Sequence, residues 1–188
     1  LDFLETSLKA KAYVLTGASG GIGQVLSQKL KDLGATVIEV SKSRSKWKAD
    51  LTDSEQVKAL FSKIQLQYGP IDGLINAAGA LQVTAFDTQS FSEIDAMIQI
   101  NLMSSIYCCK CACIKPHGHI INLASSSYSQ GRKEFLLYSS AKSALVNFTQ
   151  GLAKAKPELF IYAIAPQRTD TPMRRKEFPD EDTDTLIN

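Results

Sequence analysis

The sequence predicts a single α/β domain, doubly wound on a parallel sheet. Three observations carry this reading. Short apolar runs alternate with amphipathic stretches along the 188 residues, and strands alternating with helices call for parallel crossover connections. A glycine-rich turn joins the first apolar run to the first amphipathic stretch, where sheets of this kind take up ligands. No internal repeat or low-complexity linker divides residues 1–188, so one domain is expected over that span.

The elements follow in order. Ala12–Thr16 reads as a buried strand, and Gly21–Leu33 as a helix with Ile22, Val25, Leu26, Leu30 and Leu33 near helical spacing. Gly34 ends that helix, because glycine accepts the left-handed backbone of a helix C-terminus. Ala35–Val40 is a second strand. Thr52 or Asp53 caps the next helix, which carries Val57, Leu60, Phe61 and Ile64. Gly69-Pro70 breaks it before the strand Ile71–Asn76. Phe91–Lys115 holds one or two helices, His119–Leu123 a strand, Tyr138–Lys154 a helix and Leu159–Ala165 a strand.

Composition excludes several classes of function. Lys+Arg is 21 and Asp+Glu 19, a net charge of +2 that demands neither nucleic acid nor an anionic membrane. No apolar run approaches the roughly 20 residues that span a bilayer. The first residues, with Asp2 and Glu5, do not read as a signal peptide. Cys108, Cys109, Cys111 and Cys113 are bunched on one predicted helix. A disulfide framework spreads its cysteines to close loops, so reduced thiols and a cytoplasmic location are expected. Metal binding is set aside for want of paired ligand spacing. The bland reading is a small-residue helix face packed on the core or on a partner subunit.

Three stretches carry chemistry. In Thr16-Gly17-Ala18-Ser19-Gly20-Gly21-Ile22-Gly23, glycines 17, 21 and 23 permit a tight turn and close helix–strand packing. The helix N-terminus then offers N–H groups to a pyrophosphate. At the end of the second strand, spacing places Ser41 and Lys42, with Arg44 close, where an acid would grip the ribose of NAD. Glu39 lies too far inside the strand. Basic groups therefore favour NADP(H), against the bland reading of a solvated loop. In Tyr138-Ser139-Ser140-Ala141-Lys142, tyrosine and lysine share one helix face. A nearby ammonium lowers a tyrosine pKa toward the working range of an acid–base group. A hydroxyl-rich stretch, Ser125-Ser126-Ser127, ends the preceding strand.

Together these motifs resemble the short-chain dehydrogenase/reductase superfamily, whose fold is of the Rossmann type. The resemblance runs from about Lys11 to Met173. It adds Asp50-Leu51, Asn76-Ala77-Ala78-Gly79, Asn101, and Pro166 leading to Thr171. It implies that Tyr138 is the general acid in carbonyl reduction and the base in reverse. Lys142 would lower the Tyr138 pKa and hold the nicotinamide ribose. Ser125 would hydrogen-bond the substrate oxygen, and Asn101 would position a water leading to Lys142. Asp50 and Leu51 would contact the adenine, and Asn76, Ala77 and Ala78 the adenosine ribose. Pro166 and Thr171 would meet the nicotinamide end or the phosphates. A homodimer or homotetramer is implied. Two departures stand out: Gln167 replaces a usual glycine, and the family's last helix and strand are absent from this chain, as in a fragment of a longer one.

The mouth of the inferred site is basic. Arg132 and Arg168 are favoured as substrate residues, because guanidinium forks suit phosphate. Arg174, Arg175 and Lys133 divide evenly between that role and solubilising charge. The stretches Ser125–Arg132 and Pro166–Arg175 are similar to reductase modules associated with ribitol-phosphate cytidylyltransferases. That narrower resemblance implies reduction of ribulose 5-phosphate to ribitol 5-phosphate. The rival readings are a short-chain reductase of acyl or polyol ketones, a non-catalytic NADP(H)-sensing module, and a structural appendage that dimerises a fused synthetase.

Overall fold

A computed structural model describes residues 8–187. Six parallel strands form one sheet in the order β3-β2-β1-β4-β5-β6. They are β1 (Ala12–Thr16), β2 (Thr36–Ser41), β3 (Trp47–Lys48), β4 (Ile71–Asn76), β5 (Ile114–Leu123) and β6 (Phe160–Ile164). Chain order reverses between β1 and β4, which opens a crevice at their carboxyl ends. The helices are α1 (Gly21–Asp32), α2 (Ser54–Tyr68), α3 (Phe91–Ile98), α4 (Ser104–Cys111), α5 (Leu136–Ala155) and α6 (Pro172–Glu177). The doubly wound, single-domain expectation holds.

Alternation along each strand sorts side chains between two faces. One cross-strand row, Val14–Ile38–Leu74–Ile120–Ile161, is buried beneath α2, α4 and α5. The next row, Leu15–Glu39–Ile75–Ile121–Tyr162, lies on the α1 face. That face is well covered at β1 and β4, and bare at β6. Phe160, Tyr162 and Ile164 are 46%, 52% and 48% exposed, and β6 is the edge of the sheet among the described residues.

Local details resolve open points. Asp53, not Thr52, caps α2, its side chain accepting from the Glu55 and Gln56 amides. Gly34 follows α1 with φ of 82°, the left-handed geometry that glycine allows. The segment after Phe91 is one helical run broken by a π turn, Gln99–Met103. Cys108 and Cys109 face the core from α4, and all four cysteines are free. Burial pushes the Cys109 thiol up to about 12, so it behaves as an inert apolar group.

The sequence reading starts β5 too late. Pro116 and Gly118 look like breakers, yet Ile114 pairs with Ile71 and a bulge absorbs the irregularity before Gly73 meets His119. The short strand β3 and helix α6 lie in polar stretches without periodicity. Among the described residues no helix is long and apolar enough to cross a membrane.

Candidate active site

A cavity of about 720 Å³ opens at the carboxyl ends of the strands. Its floor is the turn from β1 into α1. Gly17 adopts φ of 67°, and a Cβ there would lie 2.6 Å from the Ala78 amide nitrogen. A Cβ on Gly23 would fall 2.1 Å from the Gly17 carbonyl oxygen. Only glycines let α1 start this close to β1 and β4. The N-cap of α1 is Gly20, whose lack of a side-chain cap leaves the first-turn N–H groups to the cavity. Those bare amides, with no Cβ in front of them, fit a dinucleotide pyrophosphate. Ser19, Gly20, Gly21, Ile22 and Gly23 all line the wall.

The opposite wall brings together Ser125, Tyr138 and Lys142. Ser125 ends the extended segment after β5, and its Oγ accepts hydrogen bonds from the amide and hydroxyl of Ser127. Tyr138 and Lys142 stand one turn apart on α5, with Lys142 Nζ 5.7 Å from the Tyr138 ring centroid. Lys142 is 4% exposed and donates to the Leu123 carbonyl at 2.8 Å. Burial brings its pKa down to about 8. For Tyr138, burial raises the pKa, while a hydrogen bond from Ser125 and the charge of Arg174 oppose that rise. The motif spacing expects Lys142 to contribute to this opposition; its ammonium meets the Leu123 carbonyl, and Arg174 adds a second charge that acts on Tyr138.

Asn101 sits on the π turn, fully buried. Its amide oxygen accepts from the Ala80 amide at 3.1 Å, and its nitrogen donates to the carbonyls of Ala80 and Met97. It thus clamps the loop after β4. A Cβ on Gly79 would come 2.9 Å from the Asn101 oxygen and 3.5 Å from Lys142 Nζ, so Asn101 and Lys142 converge on that glycine.

Several residues of the sequence reading lie apart from the cavity lining. Asn76 is buried and donates to Asn122 at 2.9 Å; its neighbour Ala77 is the one on the wall. The amides of Ala77 and Ala78 bond the Thr16 hydroxyl, tying β4 to β1. Leu51 packs into the core. Asp50 accepts from Lys42 at 2.5 Å and from Thr52. Ser41 is buried, its hydroxyl accepting from the Arg44 and Ser45 amides. Thus Lys42 is drawn to Asp50, and Arg44 is the basic side chain that reaches the wall. Arg44 and Ser41 also line an adjoining cavity of about 230 Å³ with Lys31 and Glu39. There the Glu39 carboxylate is held by Lys31 at 2.5 Å and by Ser27.

The roof is the stretch from Pro166 to Glu181. Thr171 caps α6 through the Arg174 amide and packs on α1, within 3.0 Å of where a Gly21 Cβ would stand. Pro166 and Thr171 line the cavity, as do Arg132 and Arg168. Arg132 is exposed at the rim. Arg174 also lines it, between the Phe178 ring at 3.8 Å and the Glu181 carboxylate. The sequence leaves Arg174 level with Arg175, since adjacent arginines carry no mark of direction. The fold separates them, because Arg175 turns outward to Asp170.

The family profile described as short chain dehydrogenase matches residues 11–182, and the chain belongs to that family. A bifunctional ribulose 5-phosphate reductase/CDP-ribitol pyrophosphorylase of Haemophilus influenzae is 30% identical over 186 residues, covering 96% of this chain and 39% of the relative. The chain therefore spans about two fifths of that protein's length. An uncharacterized oxidoreductase of Staphylococcus saprophyticus is 31% identical, over 88% of this chain and 81% of the relative. Among solved structures, ligand-free Thermoplasma acidophilum aldohexose dehydrogenase superposes with a TM-score of 0.85 at 31% identity, covering 90% of this chain and 71% of that one. A short chain dehydrogenase of Escherichia coli CFT073, complexed with NADPH, superposes with a TM-score of 0.91 at 26% identity, covering 98% and 88%.

Proposed function

We propose that this oxidoreductase transfers a hydride between NADP(H) and a carbonyl or alcohol, with ribulose 5-phosphate and ribitol 5-phosphate as the substrate pair. The observation that carries the reading is one cavity lined by both the glycine turn and Ser125, Tyr138 and Lys142. Gly17 to Gly23 would hold the pyrophosphate, and Thr171 would close over it. The bound nicotinamide supplies the hydride chemistry. Tyr138 would hand its hydroxyl proton to the carbonyl oxygen, to which Ser125 donates a hydrogen bond as charge develops. Lys142 would hold the nicotinamide ribose, and Asn101 would fix the loop that faces it. Asn101 would also position a water that leads to Lys142.

NADP(H) is preferred over NAD(H) on the chain's own residues. The acid of β2, Glu39, is neutralised by Lys31, and Arg44 bridges the main and adjoining cavities. An NADPH-bound family structure and the named activity of the Haemophilus relative support cofactor and substrate respectively. The free cysteines support a reducing, cytoplasmic setting. We also propose that residues 1–188 act as one module and assemble as a homodimer or homotetramer.

A fluorescence titration with NADPH and NADH, followed by NADPH oxidation with ribulose 5-phosphate and with unphosphorylated ribulose, tests the reading. Tight NADPH binding with turnover of the phosphate ester is the expected result. NADPH binding without turnover of either compound would overturn the ribulose 5-phosphate assignment and leave the cofactor assignment standing.

A further inference from the structure

The cavity lining carries Arg44, Arg132, Lys142, Arg168 and Arg174 against one acid, Glu134. Among these cations, Arg168 and Arg174 are engaged by a single carboxylate on the same roof. Arg174 Nε and Nη2 donate to the two Glu181 oxygens at 2.6 and 2.7 Å, and Arg168 Nη1 donates to Oε1 at 3.2 Å. The Arg174 and Glu181 side chains are 17% and 15% exposed. The arginines hold the Glu181 carboxyl below the usual carboxylate range. Phe178, beneath the Arg174 guanidinium, packs edge-on against Phe135 at 5.9 Å. Glu177 accepts from the Val83 amide at 2.9 Å, fastening α6 to the loop after β4. Arg174 is thus fixed by an aromatic shelf that does not depend on Glu181.

Charge decides what this arrangement suits. Two guanidinium groups face one carboxylate, leaving one positive charge over. A phosphate monoester carries close to two negative charges at neutral pH and presents the same planar pairing geometry to an arginine fork. Arg174 also lowers the Tyr138 pKa through its charge, and both line the same cavity, so an anion on this pair is within the field of the reacting group.

We propose that Arg168 and Arg174 form the anion subsite of the substrate pocket, and that Glu181 occupies it as an internal counter-ion displaced by the phosphate ester of a carbonyl substrate. The inference rests on the carbonyl-reductase reading of the cavity and names the residues that select a phosphorylated substrate. Arg174 is the specificity-determining member. Glu181 lies between Phe178 and the turn at Thr183–Thr185, outside any helix, so its departure breaks no helical hydrogen bond.

The test uses the full chain, inorganic phosphate as probe, and Glu181→Gln, Arg174→Lys and Arg174→Gln. Thermal-shift titration reads phosphate binding without turnover. Glu181→Gln should tighten phosphate binding about tenfold, since a competing tethered anion lowers the fraction of receptive protein. Arg174→Lys keeps the charge but loses the fork, and it should weaken binding at least as much as Glu181→Gln strengthens it. In steady-state assays, the kcat/KM ratio of ribulose 5-phosphate over ribulose should rise in Glu181→Gln and fall about tenfold or more in Arg174→Lys, the loss falling on KM. Unchanged or weaker phosphate binding in Glu181→Gln would overturn the proposal. So would an unaltered phosphate preference in Arg174→Lys. Were phosphate binding to depend on Arg174 while no carbonyl is reduced, the reductase reading would fall and the subsite stand. NADPH-dependent turnover that needs Tyr138 but ignores Arg174 would remove the subsite alone.

Discussion

The floor and the roof of the cavity are built by different physics. The floor, Gly17 to Gly23, is held by backbone contacts so close that a single Cβ would collide with Ala78 or Gly17. The catalytic wall hangs on α5, where Ala141, Lys142 and Leu145 are buried. The roof, Pro166 to Glu181, adds ion pairs to its packing on α1 and Phe135. Arg168 and Arg174 meet Glu181, and Arg175 meets Asp170. At Gly17 and Gly23 the steric fit leaves no room for a Cβ, and it is indifferent to pH and salt. Ion pairs near the surface are individually weak and exchange with solutes. A pocket made this way pairs an invariant receptacle for one ligand with an adjustable cover for another.

The largest expected effect removes chemistry and leaves both halves standing. Tyr138→Phe should lower turnover by about 10²–10⁴-fold while NADPH still quenches the protein fluorescence. Retained turnover would show that the wall is not the reacting site. Next is the floor. Gly23→Ala should destabilise the fold by about 3 kcal/mol or more, since backbone atoms on both sides must shift. Chemical denaturation reads it, and a change under 1 kcal/mol would show that α1 has room to move off β1.

Lys142 sharpens the contrast with a pH signature. Its folded pKa, about 8, lies below the ordinary value of 10.5. Between those values the unfolded chain binds more protons than the folded one, so this group makes stability rise with pH from about 8 to 10.5. Below pH 8 the buried ammonium is a standing cost. Lys142→Met should therefore be inactive yet more stable at pH 7 by about 1 kcal/mol, and the rise between pH 8 and 10.5 should vanish. Thermal melts across that range decide it.

Smaller effects belong to the rim and the roof. Asp50 is held down to about 2 by Lys42 and Thr52. Its depressed pKa contributes stability above the ordinary carboxylate range, lost as pH falls from about 4 through 2. Because Lys42 is largely exposed, Asp50→Asn should cost only about 1 kcal/mol at pH 7 after screening, a cost that fades as pH falls through about 2. Arg175→Ala, at a pair open to solvent, should leave the melting temperature unmoved. A clear drop there would mean that the roof is welded rather than latched.

Much of this was legible in the chain. The bounds of β1 and β4 match those expected from sequence, and those of α1 and α5 agree within two residues, because apolar periodicity and a C-terminal glycine are local signals. Gly17 to Gly23, Ser125, Tyr138 and Lys142 are likewise found together from motif spacing. Other side chains have partners that the sequence does not display. Lys42 pairs with Asp50, while Arg44 lines the wall. Asn76 donates its amide to Asn122.

The receptacle is readable along the chain. Its determinants are neighbours along the chain: glycines that permit a tight turn, and a tyrosine and lysine one helical turn apart. The direction of the charges, by contrast, is set only in the folded chain. Arg174 and Arg175 are adjacent, yet one faces the cavity against Phe178 and Glu181 while the other faces solvent against Asp170. Long side chains with several rotamers carry no local preference strong enough to set their aim. The partner that sets it is supplied by the folded chain.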